Sequence, residues 1–237
     1  MTRKERKMRA YPGYCCARRI KTDGRVVLVD VPISVQASAE LLALKSIDGK
    51  ELLLLDVQKA ANLLEVFLSE VSGHEDVLFV FPGNGANYPK SRSLVCQKIR
   101  GVGVCAKRIW TPGTDPVAIA GTIAPEVFMD LHTRFIVVVD DVISSGQTMY
   151  KLWRNNEWRF PRAQWIGATW FSQALCMKSS AGVKGYKSVF ASFLVESDNG
   201  KKVPINSLST LREQRAIAES YATRHYADTQ EFLRLIE

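Results

Sequence analysis

The chain has 237 residues, 46% of them hydrophobic, and a formal net charge of +8. This length is enough for one substantial α/β domain with a small added subdomain, and no apolar run approaches the roughly 20 residues of a membrane span, so we expect no membrane partner. The five cysteines form no CxxC pair, which argues against a disulfide framework or a zinc site, and the charged N-terminus lacks the apolar core of a signal peptide, so we expect a cytoplasmic protein.

The positive charge is concentrated at the start of the chain. Residues 1–21 contain eight lysines and arginines against Glu5 alone, so they carry +7 of the total +8. We interpret them as a basic arm and residues 22–237 as a single, nearly neutral domain. Such an arm suits nucleic acid, a neighbouring subunit or plain solvation. A homodimer stays open, and nucleic acid is the less favoured partner.

The domain alternates between strand and helix patterns. Residues 24–35 suggest one or two strands outside the main sheet, and 37–45 suggest a short helix. Residues 56–71 form an apolar stripe at helical spacing, with Asp56 as a plausible N-cap. The strands predicted for the main sheet are 77–81, 102–110, 136–139, 162–171 and 188–195, and the other predicted helices are 88–99, 149–158 and one or two within 212–237.

The most informative stretch is Ile136–Thr148. Four apolar, mostly β-branched residues predict a buried strand of a parallel sheet, and Asp140 and Asp141 stand where that strand should end. The small, hydroxylated loop 144–148 then leads into a helix. Backbone N–H groups at a helix start, together with serine and threonine hydroxyls, suit a phosphate group. The alternative is a structural turn in some other α/β protein.

This stretch resembles, at every position, the phosphoribosyl pyrophosphate (PRPP) signature of the type I phosphoribosyltransferases. The match covers 13 of the 237 residues. It implies an α/β protein with a Rossmann-like parallel β-sheet flanked by helices, the type I phosphoribosyltransferase fold. The core would span about 52–196, and the chain ends, about 22–50 and 197–212, would form a small hood.

The resemblance also implies an activity of nucleotide salvage or biosynthesis. A glycosyltransferase of this kind moves the 5-phosphoribosyl group from PRPP to a nitrogenous base, releases pyrophosphate and binds Mg²⁺. Asp140 and Asp141 would be catalytic, close to the ribose, and would hold the magnesium directly or through water, since hard oxygen ligands suit this ion. From the residues alone, two adjacent acids repel each other unless a cation or a hydroxyl-rich ligand lies there; capping of the turn is the alternative. The residues expected to grip the 5′-phosphate are Ser144, Ser145, Gly146, Gln147 and Thr148.

Two further segments would receive the pyrophosphate. The glycine-rich turn after the strand 77–81 corresponds to the family's pyrophosphate loop, and its candidate residues are Pro82, Gly83, Asn84 and Gly85. A basic residue after the next strand would complete this site, and Lys107 and Arg108 are the candidates. Because neighbouring side chains of a strand point to opposite faces, only one of the two can point into a site. A plain tight turn and a pair of surface charges are the respective alternatives.

The remaining features leave the acceptor open. Residues 111–133 correspond to the family's closing loop, but they contain no lysine, so its catalytic residues cannot be carried over. Trp153, Trp158, Trp165 and Trp170 could stack on a base or fill a core. A PRPP-sensing regulator that binds nucleic acid is the main rival to an enzyme. A PRPP synthetase and a ligand-free α/β domain are weaker ones.

Overall fold

The computed structural model describes residues 13–73, 76–83, 85–99, 101–109, 117–123, 133–174, 184–197, 200–201 and 203–237. These residues form two compact units. The first comprises residues up to Arg19 together with Ala60–Leu194, and the second comprises Ile20–Lys59 and Val195–Glu237. Within the described ranges, no helix has the length and apolar character needed to cross a membrane.

Strands and helices alternate through most of the chain. The strands are β1 (Gly13–Lys21), β2 (Arg25–Val29), β3 (Leu52–Asp56), β4 (Val77–Pro82), β5 (Gly101–Val104), β6 (Ala106–Ile109), β7 (Val117–Ala120), β8 (Phe135–Ile143), β9 (Gln164–Gln173), β10 (Tyr186–Glu196) and β11 (Ile205–Ser207). The helices are α1 (Val35–Ala43), α2 (Val57–Ser72), α3 (Asn87–Arg92), α4 (Leu94–Lys98), α5 (Gln147–Asn156), α6 (Leu208–Glu213), α7 (Arg215–His225) and α8 (Thr229–Ile236), and a 3₁₀ turn spans Glu157–Arg159.

A six-stranded sheet with the order β1-β10-β9-β8-β4-β5 forms the centre of the first unit. Strand β8 lies in its interior and pairs in parallel with β4 on one side and with β9 on the other. Its residues Ile136–Val139 are fully buried, as expected for a strand covered on both faces. The predicted Rossmann-like α/β fold, a parallel sheet flanked by helices, is confirmed.

Helices cover both faces of this sheet. On one face, Met149 of α5 packs so closely over Gly167 that a Cβ there would lie 2.6 Å from the methionine methyl group. On the other face, Phe67 of α2 stacks on Phe190 of β10 with ring centroids 4.3 Å apart. The Ser192 hydroxyl donates to the Ala60 carbonyl on this face (2.7 Å). The strand β8 is therefore held in a fixed position, and its end can support a site.

The second unit has its own sheet and core. Strands β11, β2 and β3 form a three-stranded parallel sheet, and the helices α1, α6, α7 and α8 contribute to a separate apolar cluster. The two segments predicted as a hood, 22–50 and 197–212, fall within the residue ranges of this unit, which also includes β3, α7 and α8. The predicted boundaries of arm, core and hood remain predictions, and residues 13–21 of the arm form β1.

Two predicted elements are wrong. The single strand expected at 102–110 is divided at Cys105 into β5, which pairs with β4, and β6, which pairs antiparallel with β7 in a separate two-stranded sheet. The break coincides with two close contacts, because the Cys105 carbonyl accepts the Gly121 amide (2.7 Å) and the Val104 carbonyl accepts the Gly83 amide (2.8 Å). The single helix expected at 88–99 is α3 and α4, and Ser93 between them caps α4 through the Cys96 amide (3.0 Å).

Candidate functional site

The acid pair lies inside the end of β8, whereas the sequence predicted that the strand stops before it. Pairing with β4 ends at Val138, but pairing with β9 continues to Ile143. Asp140 is buried, with 9% exposure, and Asp141 is half-buried. The last residues of β8 therefore extend past the end of its pairing with β4, beside the turn that follows β4.

The two carboxylates point to different faces of the sheet. Asp140 lies on the same face of the strand as Ile136 and Val138, because side chains alternate between the two faces. Ile136 and Val138 pack in one cluster with Met149 of α5. Asp141 points the other way, towards Gly85, where a Cβ would lie 2.6 Å from the Asp141 Oδ1 atom. Asp140 thus faces α5, and Asp141 faces the glycine turn.

Backbone hydrogen bonds hold the acid pair in this conformation. The Asp140 Oδ1 atom accepts the Asp141 amide (3.0 Å), and the Asp141 Oδ1 atom accepts the Val142 amide (2.7 Å). The Asp141 carbonyl in turn accepts the hydroxyl of Thr169 on β9 (2.8 Å). The peptide between Asp141 and Val142 is therefore bonded at both its carbonyl and its N–H.

Thr169 was not among the predicted site residues. It is fully buried and lies opposite Asp140 in the β8–β9 register, so only the pairing of the two strands brings it to the acid pair. Tyr186 was also missed. Its hydroxyl donates to the Met149 carbonyl in the first turn of α5 (3.1 Å). Burial first, and the nearby negative charge of Asp140 second, raise the pKa of Tyr186 well above its ordinary value.

The predicted phosphate loop leads directly into α5. Gly146 is the N-cap residue of this helix and has a φ of 72°, in the left-handed region that glycine adopts at little cost. It supplies no side chain to cap the helix, and the Ser145 hydroxyl approaches the Gln147 amide only at 3.5 Å. Ser144 and Thr148 are half-buried, and Ser145 and Gln147 are exposed. The start of α5 therefore has the amide and hydroxyl donors that an anion needs.

The backbone of the glycine turn after β4 lies very close to neighbouring groups. Gly83 has a φ of 66°, and a Cβ there would lie 2.7 Å from the Ala106 carbonyl oxygen. Together with the contact between Gly85 and Asp141, this places the turn between the acid pair and the junction of β5 with β6. Pro82 is the last residue of β4, and Asn84 lies outside the described residues.

The basic pair lies on β6, where Lys107 and Arg108 pair with Ile119 and Ala118 of β7. Their side chains lie outside the description. Most of the predicted closing loop, including residues 111–116 and 124–132, is also outside the described residues. Its described part is tied to α5, because the Asn155 side chain donates to the Ala120 carbonyl (2.6 Å) and the Asn156 side-chain oxygen accepts the Ile123 amide (2.8 Å).

The tryptophans have different environments. Trp165 and Trp170 are buried, with 3% and 2% exposure, and fill the core. Phe171, the next residue of β9, is fully buried and stacks on Phe193. Trp158 is the exception, with 68% exposure.

The acid pair also fits the magnesium ion that the family resemblance implies. Carboxylate oxygens are the ligands that Mg²⁺ prefers, and one acid per site is often enough because water and phosphate oxygens complete its coordination. A cation also offsets the repulsion between two adjacent carboxylates of which one is buried. Among the described residues, no group of three or more histidine, cysteine or acidic side chains is arranged to hold a metal ion.

No family model matches this chain, and none of the curated proteins matches it. Its structure is similar to a purine phosphoribosyltransferase from Pyrococcus horikoshii Ot3, with a TM-score of 0.42, 18% identity, and coverage of 63% of this chain and 86% of that one. It is also similar to a Helicobacter pylori xanthine-guanine-hypoxanthine phosphoribosyltransferase, with a TM-score of 0.45, 15% identity, and coverage of 68% and 93%.

A third similar structure is a hypothetical protein from Neisseria gonorrhoeae with bound ppGpp, with a TM-score of 0.44 and 16% identity. This likeness covers 81% of the present chain and 94% of the Neisseria chain. Phosphoribosyltransferases thus recur among the solved structures to which this chain is similar.

Proposed function

We propose that this protein is a Mg²⁺-dependent phosphoribosyltransferase that transfers the 5-phosphoribosyl group of PRPP to a nitrogen of a base and releases pyrophosphate. The observation that carries the proposal is the contact between Gly85 and the Asp141 carboxylate. This contact joins the glycine turn to the acid pair, and β8 joins the acid pair to the phosphate loop. A donor with a phosphate, a ribose and a pyrophosphate requires these three kinds of group side by side.

Each part of the site would bind one part of PRPP. The amides and hydroxyls of residues 144–148 would hold the 5′-phosphate at the start of α5. Asp140 and Asp141 would accept hydrogen bonds from the ribose hydroxyls and hold the magnesium ion, directly or through water. The amides of residues 82–85, with Lys107 or Arg108, would receive the pyrophosphate.

The chemistry requires positioning and charge stabilisation. The acceptor nitrogen would form the new bond to C1 of the ribose and release its proton to solvent or to the pyrophosphate, while the electron pair of the C1–O bond leaves with the pyrophosphate. Positive charge then develops on the ribose ring, beside the two carboxylates, and negative charge develops near the amides and cations of the pyrophosphate site. Bound magnesium would neutralise part of the pyrophosphate charge. No covalent nucleophile is needed.

The decisive experiment measures binding and turnover separately. Calorimetric titration of the protein with PRPP, in the presence and absence of Mg²⁺, tests the donor site. Incubation with PRPP, Mg²⁺ and a panel of adenine, hypoxanthine, guanine, xanthine, uracil and orotate, followed by detection of pyrophosphate, tests the transfer and identifies the acceptor. The proposal fails if PRPP does not bind, and its catalytic part fails if PRPP binds but no acceptor in the panel gives pyrophosphate.

That second outcome would favour the rival function, a PRPP-sensing regulator that binds nucleic acid. The observation in its favour is the basic arm, which carries +7 of the chain's +8. Because residues 13–21 form β1 of the central sheet, removal of residues 1–12 tests the arm while keeping that strand. A regulator of this kind should lose salt-sensitive nucleic-acid binding on this truncation, whereas an enzyme should keep its turnover. A cytoplasmic location and a homodimer remain predictions.

A further inference from the structure

The end of the central sheet opposite the acid pair carries a second concentration of charge. Residues 133–134, 157–163 and 184–187 come just before, or at, the starts of β8, β9 and β10. They contain five basic residues and a single acid, Glu157, which pairs with the exposed Arg154 (2.9 Å). We call the five cations together with Trp158 the amino-edge surface; the cations are Arg134, Arg159, Arg162, Lys184 and Lys187.

Contacts between the described residues bring these segments together. The Gln164 amide donates to the Arg134 carbonyl (2.8 Å), so the starts of β8 and β9 are adjacent. The Lys187 ammonium group donates to the Gln164 side-chain oxygen (3.0 Å), which places the start of β10 next to them. The chain from Trp158 to Arg162 enters β9 through a tight turn in which the Phe160 carbonyl accepts the Ala163 amide (3.0 Å).

Four of the five cations are exposed, whereas Arg159 is half-buried and donates to the Ile123 carbonyl (2.8 Å). The exposed ones are Arg134, Arg162, Lys184 and Lys187. Residues 22–237 are nearly neutral in total, but this edge is positive, with five basic residues against Glu157 and Asp76, the residue before β4 whose carbonyl accepts the Arg134 amide (3.0 Å). Such a local field attracts polyanions, and the attraction weakens as salt is added.

Trp158 adds a flat apolar platform to the same surface. Its side chain is 68% exposed, and the Arg159 guanidinium carbon lies 4.7 Å from its ring centroid. An exposed indole flanked by an arginine is suited to stacking with a nucleobase, because every base presents a π-face and the surrounding cations bind phosphates. An anionic lipid surface could also use a tryptophan and cations, so vesicles of anionic lipid are included in the test below.

We propose that the amino-edge surface binds single-stranded nucleic acid, with Trp158 stacking on a base and the surrounding cations contacting phosphates. Arg134 and Asp140 are six residues apart on one strand, which corresponds to roughly 20 Å. The two sites therefore lie at opposite edges of the sheet and can be occupied at the same time. The inference does not depend on whether the acid pair is catalytic.

The test uses the full chain and fluorescein-labelled single-stranded 12-mers, one of RNA and one of DNA, with fluorescence anisotropy read over a range of salt concentrations. Trp158→Ala is expected to weaken binding about tenfold to a hundredfold, whereas Trp158→Phe retains most of the affinity because it retains a stacking ring. The double variant Arg162→Glu/Lys187→Glu is expected to weaken binding at least tenfold. It should also lower the salt slope by about 1.4, since each lost phosphate contact on a single strand accounts for about 0.7.

The matched control is Lys45→Glu/Lys59→Glu, which makes the same charge change at exposed positions just after α1 and in α2, neither of which lies just before a strand of the six-stranded sheet. It should bind like the unmodified protein, and circular dichroism checks that every variant is folded. The proposal is overturned if the control loses as much affinity as the edge variant, or if only removal of residues 1–12 abolishes binding. It is also overturned if neither 12-mer binds, and binding of anionic lipid vesicles in a Trp158-dependent way would then identify a membrane surface as the partner. Comparison of the affinities for the RNA and DNA 12-mers shows which nucleic acid is preferred.

Discussion

Each unit of the molecule has an ionisable side chain in its interior, and the two side chains have opposite kinds of neighbour. In the second unit, the Arg25 guanidinium group, with 1% exposure, donates to the Asp48 carboxylate and to the Lys50 carbonyl (3.2 Å) and lies over the Tyr226 ring. In the first unit, Asp140 stands next to another acid, and both carboxylates accept amides of the same strand. A charge neutralised by an opposite charge suits a structural role, whereas two adjacent like charges suit a ligand that supplies the cation.

The sharpest test of this difference is the double variant Asp140→Asn/Asp141→Asn. We expect turnover to fall by at least about 1,000-fold, because the groups that stabilise the developing charge are gone. The free energy of unfolding should stay the same or rise, because the repulsion between the two acids is also gone. Pyrophosphate release and thermal denaturation measure the two effects. A large loss of stability, or retained turnover, would show that the acid pair is a structural element like Arg25.

The reverse behaviour is expected of Asp48→Asn in the second unit. It leaves the buried Arg25 charge without its counter-ion, which should cost about 3 kcal/mol of unfolding free energy, towards the low end of the range for broken buried pairs because Asp48 is 44% exposed. Restoring neutrality with Arg25→Met/Asp48→Asn should recover most of the loss. Urea denaturation measures both variants. If the double variant is less stable than Asp48→Asn alone, the pair is not held together by its charges.

A smaller effect is expected of Thr169→Val, which keeps the shape of the side chain but removes the hydroxyl that donates to the Asp141 carbonyl. The carbonyl of Asp141 then loses this hydrogen bond, and we expect turnover to fall about tenfold, with a loss of about 1–2 kcal/mol in stability. Thr169→Ser retains the donor and should restore turnover. The measurements are kcat and KM for PRPP, compared with those of the unmodified protein. If valine and serine reduce kcat equally, the hydroxyl does not position the acid pair.

The smallest expected effect is a dependence of stability on pH, which arises from His225 in the second unit. Burial first, and then the positive charge of Arg25, lower the pKa of His225 below 6.5, with smaller contributions from Asp48 (which raises it), Arg224 and Lys50. The unfolded chain therefore binds this proton more readily, so stability is fully present above about pH 6.5 and falls as the pH drops through the folded-state pKa. The difference in unfolding midpoint between the unmodified protein and His225→Gln, measured from pH 8 to pH 5, should shift against the unmodified protein as the pH falls. Parallel curves would contradict the prediction.

Much of the first unit could be predicted from the sequence, since uniformly apolar runs such as Ile136–Val139 are typical of buried parallel strands. The continuation of β8 through Asp140 and Asp141 could not. Acids disfavour strands, and they are kept in this one by pairing with β9, a contact distant in sequence. The break at Cys105 was also hidden, because the apolar pattern continues through it and the contacts with Gly83 and Gly121 are distant too.

The candidate site could be predicted in its parts but not in its arrangement. The motif indicated the acids and the phosphate loop, and the glycines indicated a tight turn. That Asp140 and Asp141 face different neighbours follows from strand alternation, but only for a strand that continues through both, which the sequence did not indicate. Ser93 was a missed local signal, since a serine before a helical turn is a common N-cap.

Because β4 is shorter than β8, the turn that follows β4 can tolerate changes of sequence. Because β8 pairs with β4 only as far as Val138, the turn beyond Pro82 supports no part of that ladder. Insertions, deletions and substitutions in this turn can therefore accumulate without disturbing the order of the strands, as long as the close approaches of Gly83 and Gly85 are kept. If this turn receives the pyrophosphate, as we propose, it is the place where laboratory evolution can alter that recognition while the scaffold remains unchanged.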